Sequence, residues 1–159
     1  EMASEAIDAE IGFPSGTLKG TALAVGNPHF VTWIESSGFE VLSEVARSRG
    51  WEVERSPHFP HGTNFEAASR VRDDLVRVAV WERGVGLTPA CGSGATAAVC
   101  AGVRTGRLAA GVPVTVEMPG GSLTVEVDEP LTHISVTGGA GFVFSGEIDV
   151  AKLKPPSER

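Results

Sequence analysis

Positive charge, cysteine and long apolar runs are all scarce in this sequence of 159 residues. Thirteen Lys and Arg stand against twenty Asp and Glu, a formal charge of -7 with a pI near 5.1. No basic stripe is available to neutralise a phosphate backbone, so nucleic acid is not expected as a partner. The apolar stretches are too short for a membrane-spanning helix, which removes a bilayer from the expected partners as well. Two cysteines cannot staple a chain of this size, and their scarcity points to a reducing, cytoplasmic setting. No secretory signal is visible, and because the chain opens on Glu1, further sequence upstream is expected.

Glycine and proline are abundant, at 20 and 10 residues, which implies many turns joining short strands. A composition of 42% hydrophobic and 21% charged residues is that of a globular domain. The length suits one core.

Hydrophobic periodicity predicts the elements. Residues 1–16 are polar and acidic and read as a lead-in. Alternation at Leu18, Gly20, Ala22 and Ala24 marks a strand over 17–24, closed by the Gly26-Asn27-Pro28 turn, and a second strand follows over 29–35. Phe39, Val41, Leu42, Val45 and Ala46 recur at helical spacing between Gly38 and Gly50, predicting a helix over 39–49 with Arg47 and Arg49 in its last turn. Strands are predicted over 64–71 and 75–83, joined by Asp73-Asp74. The second carries apolar residues on both faces and is expected at the centre of the sheet. A glycine loop over 84–90 leads to a small-residue helix over 95–105 that stops at Gly106. Strands over 112–118, 123–127, 134–137 and 142–150 complete an α+β fold of about eight strands and two helices.

The segment from Trp81 to Gly94 carries the most chemistry. A charged pair, Glu82-Arg83, ends a strand, and Cys91 stands at a helix start. Unpaired N–H groups and the helix dipole favour negative charge there, so a thiol at that point is a better proton acceptor or nucleophile. Gly92, Ser93 and Gly94 leave backbone donors open to a carboxylate or phosphate. The residues alone leave a second reading open, a buried cysteine beside a tight glycine turn. Cys100 lies nine residues on, about 900° of helical rotation, so it faces the other way among alanines and valines as a core residue. An intrahelical disulfide between the two is geometrically implausible.

His29, after Asn27-Pro28, and Asn64, after Gly62-Thr63, read locally as turn residues. His58 and His61 have no partners at ligand spacing, so no metal site is expected. Gly84-Val85-Gly86 lacks the rest of a dinucleotide fingerprint.

In order, Gly26-Asn27-Pro28-His29, Phe59-Pro60-His61-Gly62-Thr63-Asn64, Glu82-Arg83-Gly84 through Ala90-Cys91-Gly92-Ser93-Gly94, and Met118-Pro119-Gly120-Gly121 make four motifs. Together they resemble the diaminopimelate epimerase family from about residue 17 onward. The likeness is to the second of that family's two lobes, each of which supplies one catalytic cysteine from the start of a helix. It implies a barrel-like, mostly antiparallel sheet around a central helix, with residues 1–16 as lead-in or inter-lobe linker. Residues 17–141 would form the lobe, and 142–159 a strand and tail returning to the missing N-terminal lobe. It further implies cofactor-independent epimerisation of LL- to meso-diaminopimelate, with Cys91 one of two cysteines working on opposite faces of the α-carbon. By the same resemblance His29 and Glu82 tune the cysteines' protonation. Asn27, Asn64, Glu82 and Arg83 contact the substrate, and Gly92 and Ser93 hold its carboxylate. Expected partners are therefore a small amino-acid substrate and the N-terminal lobe, with a homodimer open. Leu87, Pro89, Thr96, His61 and Phe65 depart from the commonest family pattern. Two alternatives stand beside this one: a proline racemase-like or phenazine-biosynthesis-like isomerase of the same architecture, or a lobe that binds a small carboxylate without catalysis.

Overall fold

The computed structural model describes residues 6–129 and 131–153. In chain order the elements are β1 (Ala9–Phe13), β2 (Gly16–Val25), β3 (Asn27–Trp33), α1 (Phe39–Glu54), β4 (Asn64–Arg72), β5 (Leu75–Glu82), β6 (Gly86–Thr88), α2 (Gly92–Arg104), β7 (Val114–Met118), β8 (Gly121–Val127) and β9 (Ile134–Thr137), followed by a short 3-10 turn, Val150–Lys152. All nine strands join one sheet in the order β1-β2-β3-β4-β5-β7-β8-β9, with β6 against β5. Only β3–β4 and β5–β7 are parallel, and each of these crossovers carries a helix.

The two helices lie on opposite faces of β4 and β5. Leu42 and Ala46 of α1 pack with Ala67 and Ala79, whereas Ala95, Ala98 and Val99 of α2 pack with Ala68, Val76, Val78 and Val80. The alternation of neighbouring residues between the two clusters is the period-two signature of a strand covered on both sides, as expected for β5. Helix α2 is buried from Gly94 to Gly102 and touches β2, β3, β4, β5, β8 and β9, so the sheet curls around it. The barrel-like form is thus present, but the strand order is linear and β1 does not pair with β9, leaving the sheet open. A cavity of 190 Å³ lies at this seam, lined among others by Thr21, Leu23, Val25, Cys100 and Ile134.

Several expectations change. The lead-in contains β1, whose Ile11 and Phe13 pack with Phe30 and Phe59; its residues 1–5, like the tail 154–159, lie outside the described residues. Helix α1 runs on to Glu54, because Gly50 is a packing residue and not a stop. It is buried under the Trp81 side chain, and a Cβ there would collide with the indole. The last turn of α1 therefore holds no basic residue; Arg49 pairs instead with Glu52, and Arg47 with Glu44 at 2.8 Å. The glycine loop includes the short strand β6. The segment 142–149 forms no strand, and Phe142, Val143, Phe144 and Ile148 are exposed.

Candidate active site

Strand parity builds the site. Val31, Ala68 and Val80 face α2, so by the alternation of side chains Asn27 and His29 on β3, Asn64 and Glu66 on β4, and Glu82 on β5 face the same way. The parallel register sets His29 opposite Asn64 and Val31 opposite Glu66. Strand β5 then adds the split from which Cys91 emerges. Its first residues, Leu75–Arg77, pair with β7, and its last, Val80–Glu82, pair with β6. Between these diverging partners the chain passes into α2.

Cys91 is the N-cap of α2, with extended backbone angles, and its sulfur accepts a hydrogen bond from the Gly94 N–H at 3.4 Å. That is the bond an N-cap serine oxygen ordinarily accepts. Ser93 Oγ lies 3.5 Å from the same sulfur, and the Cys91 N–H donates to Met118 Sδ at 3.4 Å. The thiol is partly exposed, whereas Cys100 is buried within the α2 core cluster. Burial pushes the Cys100 thiol up to about 11. The N–H groups of Gly92 and Ser93 begin the helix and have no carbonyl partner within it. The Met118-Pro119-Gly120-Gly121 turn steadies this loop, since the Gly120 N–H donates to Pro89 O at 2.7 Å.

Around the other side of the site, Asn64 is buried, and its Oδ1 accepts from the Arg83 N–H at 2.8 Å. The strand ends at Glu82, and the chain turns through Arg83 and Gly84, with the Val85 N–H donating to Glu82 O at 3.0 Å. The Arg83 guanidinium reaches out to His61 O at 2.7 Å, beside an open hollow lined by Glu54, Pro60 and Gly62. The Glu82 side chain makes no hydrogen bond or ion pair among the described residues.

His29 is fully buried. Its Nε2 faces Asn27 Oδ1 at 3.0 Å and its Nδ1 faces Glu66 Oε1 at 2.6 Å. Glu66 is equally buried, and its carboxyl is raised above the ordinary carboxylate range by that burial, against the opposing pull of the His29 hydrogen bond. Gly94 brings the start of α2 against the same carboxyl: a Cβ at Gly94 would stand 3.1 Å from Glu66 Oε1. Sequence reasoning missed Glu66. The available signal was a carboxyl between Phe65 and Ala67 in an apolar strand, two residues beyond Asn64 and therefore on its face.

The predicted residues thus gather in two groups near one helix end: Asn27, His29 and Asn64 in the sheet, and Cys91, Gly92 and Ser93 at the helix N-terminus. Glu82 and Arg83 stand at the strand end between them. Cys91 hydrogen-bonds Ser93, Gly94 and Met118, and neither His29 nor Glu82. No group of three or more metal-ligating side chains exists among the described residues, and no helix there is long and apolar enough to cross a membrane.

The α+β sheet curled around α2 is a fold with solved counterparts. Solved structures share it: a hydroxyproline epimerase from Agrobacterium vitis, with a TM-score of 0.56 and 18% identity, is matched over 77% of this chain and 40% of its own. A probable proline racemase from Agrobacterium radiobacter K84 aligns with a TM-score of 0.55, 16% identity, 77% of this chain and 41% of its own. At the level of sequence, the diaminopimelate epimerase family model matches residues 21–143, and the chain belongs to that family. Curated diaminopimelate epimerases are similar throughout. That of Elusimicrobium minutum is 42% identical over 144 residues, 89% of this chain and 49% of the relative. Those of Bacteroides thetaiotaomicron and Methanococcus maripaludis are each 40% identical, covering 93% and 91% of this chain and 52% and 50% of their own. The chain spans about half the length of the curated relatives it matches.

Proposed function

We propose that this chain is the C-terminal lobe of an enzyme that epimerises LL-diaminopimelate to meso-diaminopimelate without a cofactor, in the cytoplasmic synthesis of lysine and cell-wall precursors. The observation that carries the reading is the partly exposed Cys91 capping α2 beside the open amides of Gly92 and Ser93. An amino-acid α-proton is very weakly acidic, and its removal loads negative charge onto the adjoining carboxylate. Amides aimed at that carboxylate from a helix end stabilise the charge as it develops. Cys91 takes or gives the proton on one face of the α-carbon, and the cysteine of the N-terminal lobe does the converse on the other. Asn27, Asn64, Glu82 and Arg83 hold the substrate's polar groups, and the planar fork of Arg83 suits a carboxylate. His29 and Glu82 tune the protonation of the thiols through the polar surroundings they create. The exposed Phe142, Phe144, Ile148 and Val150 support docking of the C-terminal segment onto the partner lobe.

The test is a mixing experiment read by two signals, solvent deuterium at the α-carbon of diaminopimelate and interconversion of its isomers. The chain alone should be silent, and addition of a separately made N-terminal lobe should give turnover. In that mixture Cys91→Ala should abolish both signals and Cys100→Ala should leave them in place. Robust epimerisation by the chain alone, or by the mixture carrying Cys91→Ala, overturns the two-base reading.

A further inference from the structure

Glu66 is the only carboxyl group without solvent exposure among the described residues, and the reaction proposed above makes no use of it. Its Oε1 meets His29 Nδ1 at 2.6 Å, while its Oε2 has no hydrogen-bond partner. The far nitrogen of the same ring meets Asn27 Oδ1 at 3.0 Å. The Asn27 side chain is part-buried, and its amide nitrogen has no partner among the described residues. A line of contacts therefore runs from the buried carboxyl, through the imidazole, to an asparagine at the edge of the site.

Counting protons narrows what this line holds. With a carboxylate and an imidazolium, the pair is neutral overall and the ring donates from both nitrogens. With a carboxylic acid donating to Nδ1, the pair is again neutral and the ring keeps its hydrogen on Nε2. A third arrangement, a carboxylate with the ring hydrogen on Nδ1 alone, leaves a net negative charge in a site closed to water. There the Oε2 oxygen has no donor, and the Glu82 carboxyl on β5 adds like-charge repulsion. It also sets the Nε2 lone pair against Asn27 Oδ1 unless the asparagine reverses. A further neutral arrangement, with the acid hydrogen on Oε2 and the ring hydrogen on Nδ1, leaves that O–H without an acceptor and again sets a bare Nε2 against Asn27 Oδ1. The neutral arrangements that satisfy the contacts therefore leave a hydrogen on Nε2.

We propose that Glu66 is a positioning residue for the substrate site: it shares one proton with His29, keeps a hydrogen on Nε2, and so fixes Asn27 with its oxygen inward and its NH2 turned to the ligand. The part concerning the ligand rests on the epimerase reading above. Asn64 is set by a parallel device, its Oδ1 tied to the Arg83 N–H. Its amide nitrogen lies 3.5 Å from His29 Nδ1, so Asn64 places a donor beside the nitrogen that shares the proton, and Asn27 is the asparagine left to offer N–H donors to a substrate carboxylate.

The experiment is long-range 1H–15N correlation of the histidine rings in the 15N-labelled chain at pH 8, with the His29 signals identified by their loss in His29→Gln. The expected result is a protonated, solvent-protected Nε2 on His29, with Nδ1 accepting or sharing the Glu66 proton. Glu66→Gln can donate to Nδ1 through its amide and should keep the Nε2–H form. Glu66→Leu removes the partner and should spread the ring over both tautomers. A His29 that carries its hydrogen on Nδ1 with Nε2 bare overturns the proposal, and so does an unchanged ring in a folded Glu66→Leu. If Glu66→Leu does not fold, the wild-type spectrum decides alone. The readout needs neither substrate nor turnover, so its failure is separate from failure of the epimerase reading, which the exchange assay decides.

Discussion

One helix carries both cysteines, and the two ends of the interval between them differ in every respect that governs thiol chemistry. Cys91 stands where α2 has not yet closed its hydrogen bonds, partly exposed, with Ser93 and the Gly94 N–H at its sulfur. Cys100 stands where the helix is surrounded by sheet, in a cluster with Val99, Ala101 and Leu108, and its thiol is pushed up to about 11. Both lie among small residues, but Cys91 is flanked by the turn and cap residues Pro89, Gly92, Ser93 and Gly94, and Cys100 by alanines and valines. Reactivity therefore follows from the place a cysteine takes along a helix and in the layers around it, and the neighbouring residues mark that place.

The sharpest way to break this contrast is chemical. In the folded chain at pH 8, an alkylating reagent should modify Cys91 about 100-fold faster than Cys100 or more, since the thiolate is the reacting form and burial suppresses it at Cys100. Peptide mass mapping over time reads the two rates, and comparable rates would end the distinction. A second test compares the glycines beside Cys91. Gly94→Ala would set a Cβ 3.0 Å from Val80 and 3.1 Å from Glu66, whereas at Gly92 the nearest atom is 4.0 Å away. Gly94→Ala should therefore cost about 1–3 kcal/mol in denaturant unfolding, and Gly92→Ala should be within ~0.5 kcal/mol of wild type. The smallest effect is on stability at the cysteines themselves. Cys100→Ala should lose about 1 kcal/mol for the volume removed from a closed core, and Cys91→Ala should lose less, because its surroundings are already partly open. A reversal of that order, read from urea midpoints, would show that the helix end is the better packed of the two.

Much of this was legible in the sequence where local periodicity and turn chemistry decide the outcome. The two-sided burial of β5 follows from Val76, Val78 and Val80 alternating with Ala79, and the cysteine at a helix start from the glycines and serine that follow it. What escaped was decided by tertiary contacts. Gly50 reads as a helix stop until Trp81 is known to lie on it. Glu66 reads as an ordinary strand residue until β3 brings His29 to it from 37 positions away. The segment 142–149 alternates like a strand, yet no sheet edge among the described residues receives it. Of the site, the individual residues were legible; the hydrogen-bonded line joining Glu66, His29 and Asn27 was not, because it depends on a parallel register that periodicity does not encode.

The two parallel joins bear on how this protein could be rebuilt. Every other neighbouring pair of strands in the sheet is antiparallel, and most are linked by a short turn, so much of the sheet is a series of hairpins. The crossovers are different: one brings Asn27 and His29 beside Asn64 and Glu66, and the other lifts Cys91 to the same end. No single contiguous peptide shorter than the stretch from Asn27 to Gly94 contains the whole constellation. A transplanted cysteine loop would bring its helix-end amides to a new scaffold but leave behind the asparagines and the buried proton-sharing pair. The smallest portable unit is the helix-threaded middle of the sheet together with the Met118–Gly121 turn that braces the cysteine loop, and the β1–β2 hairpin on the other flank is the part most open to redesign.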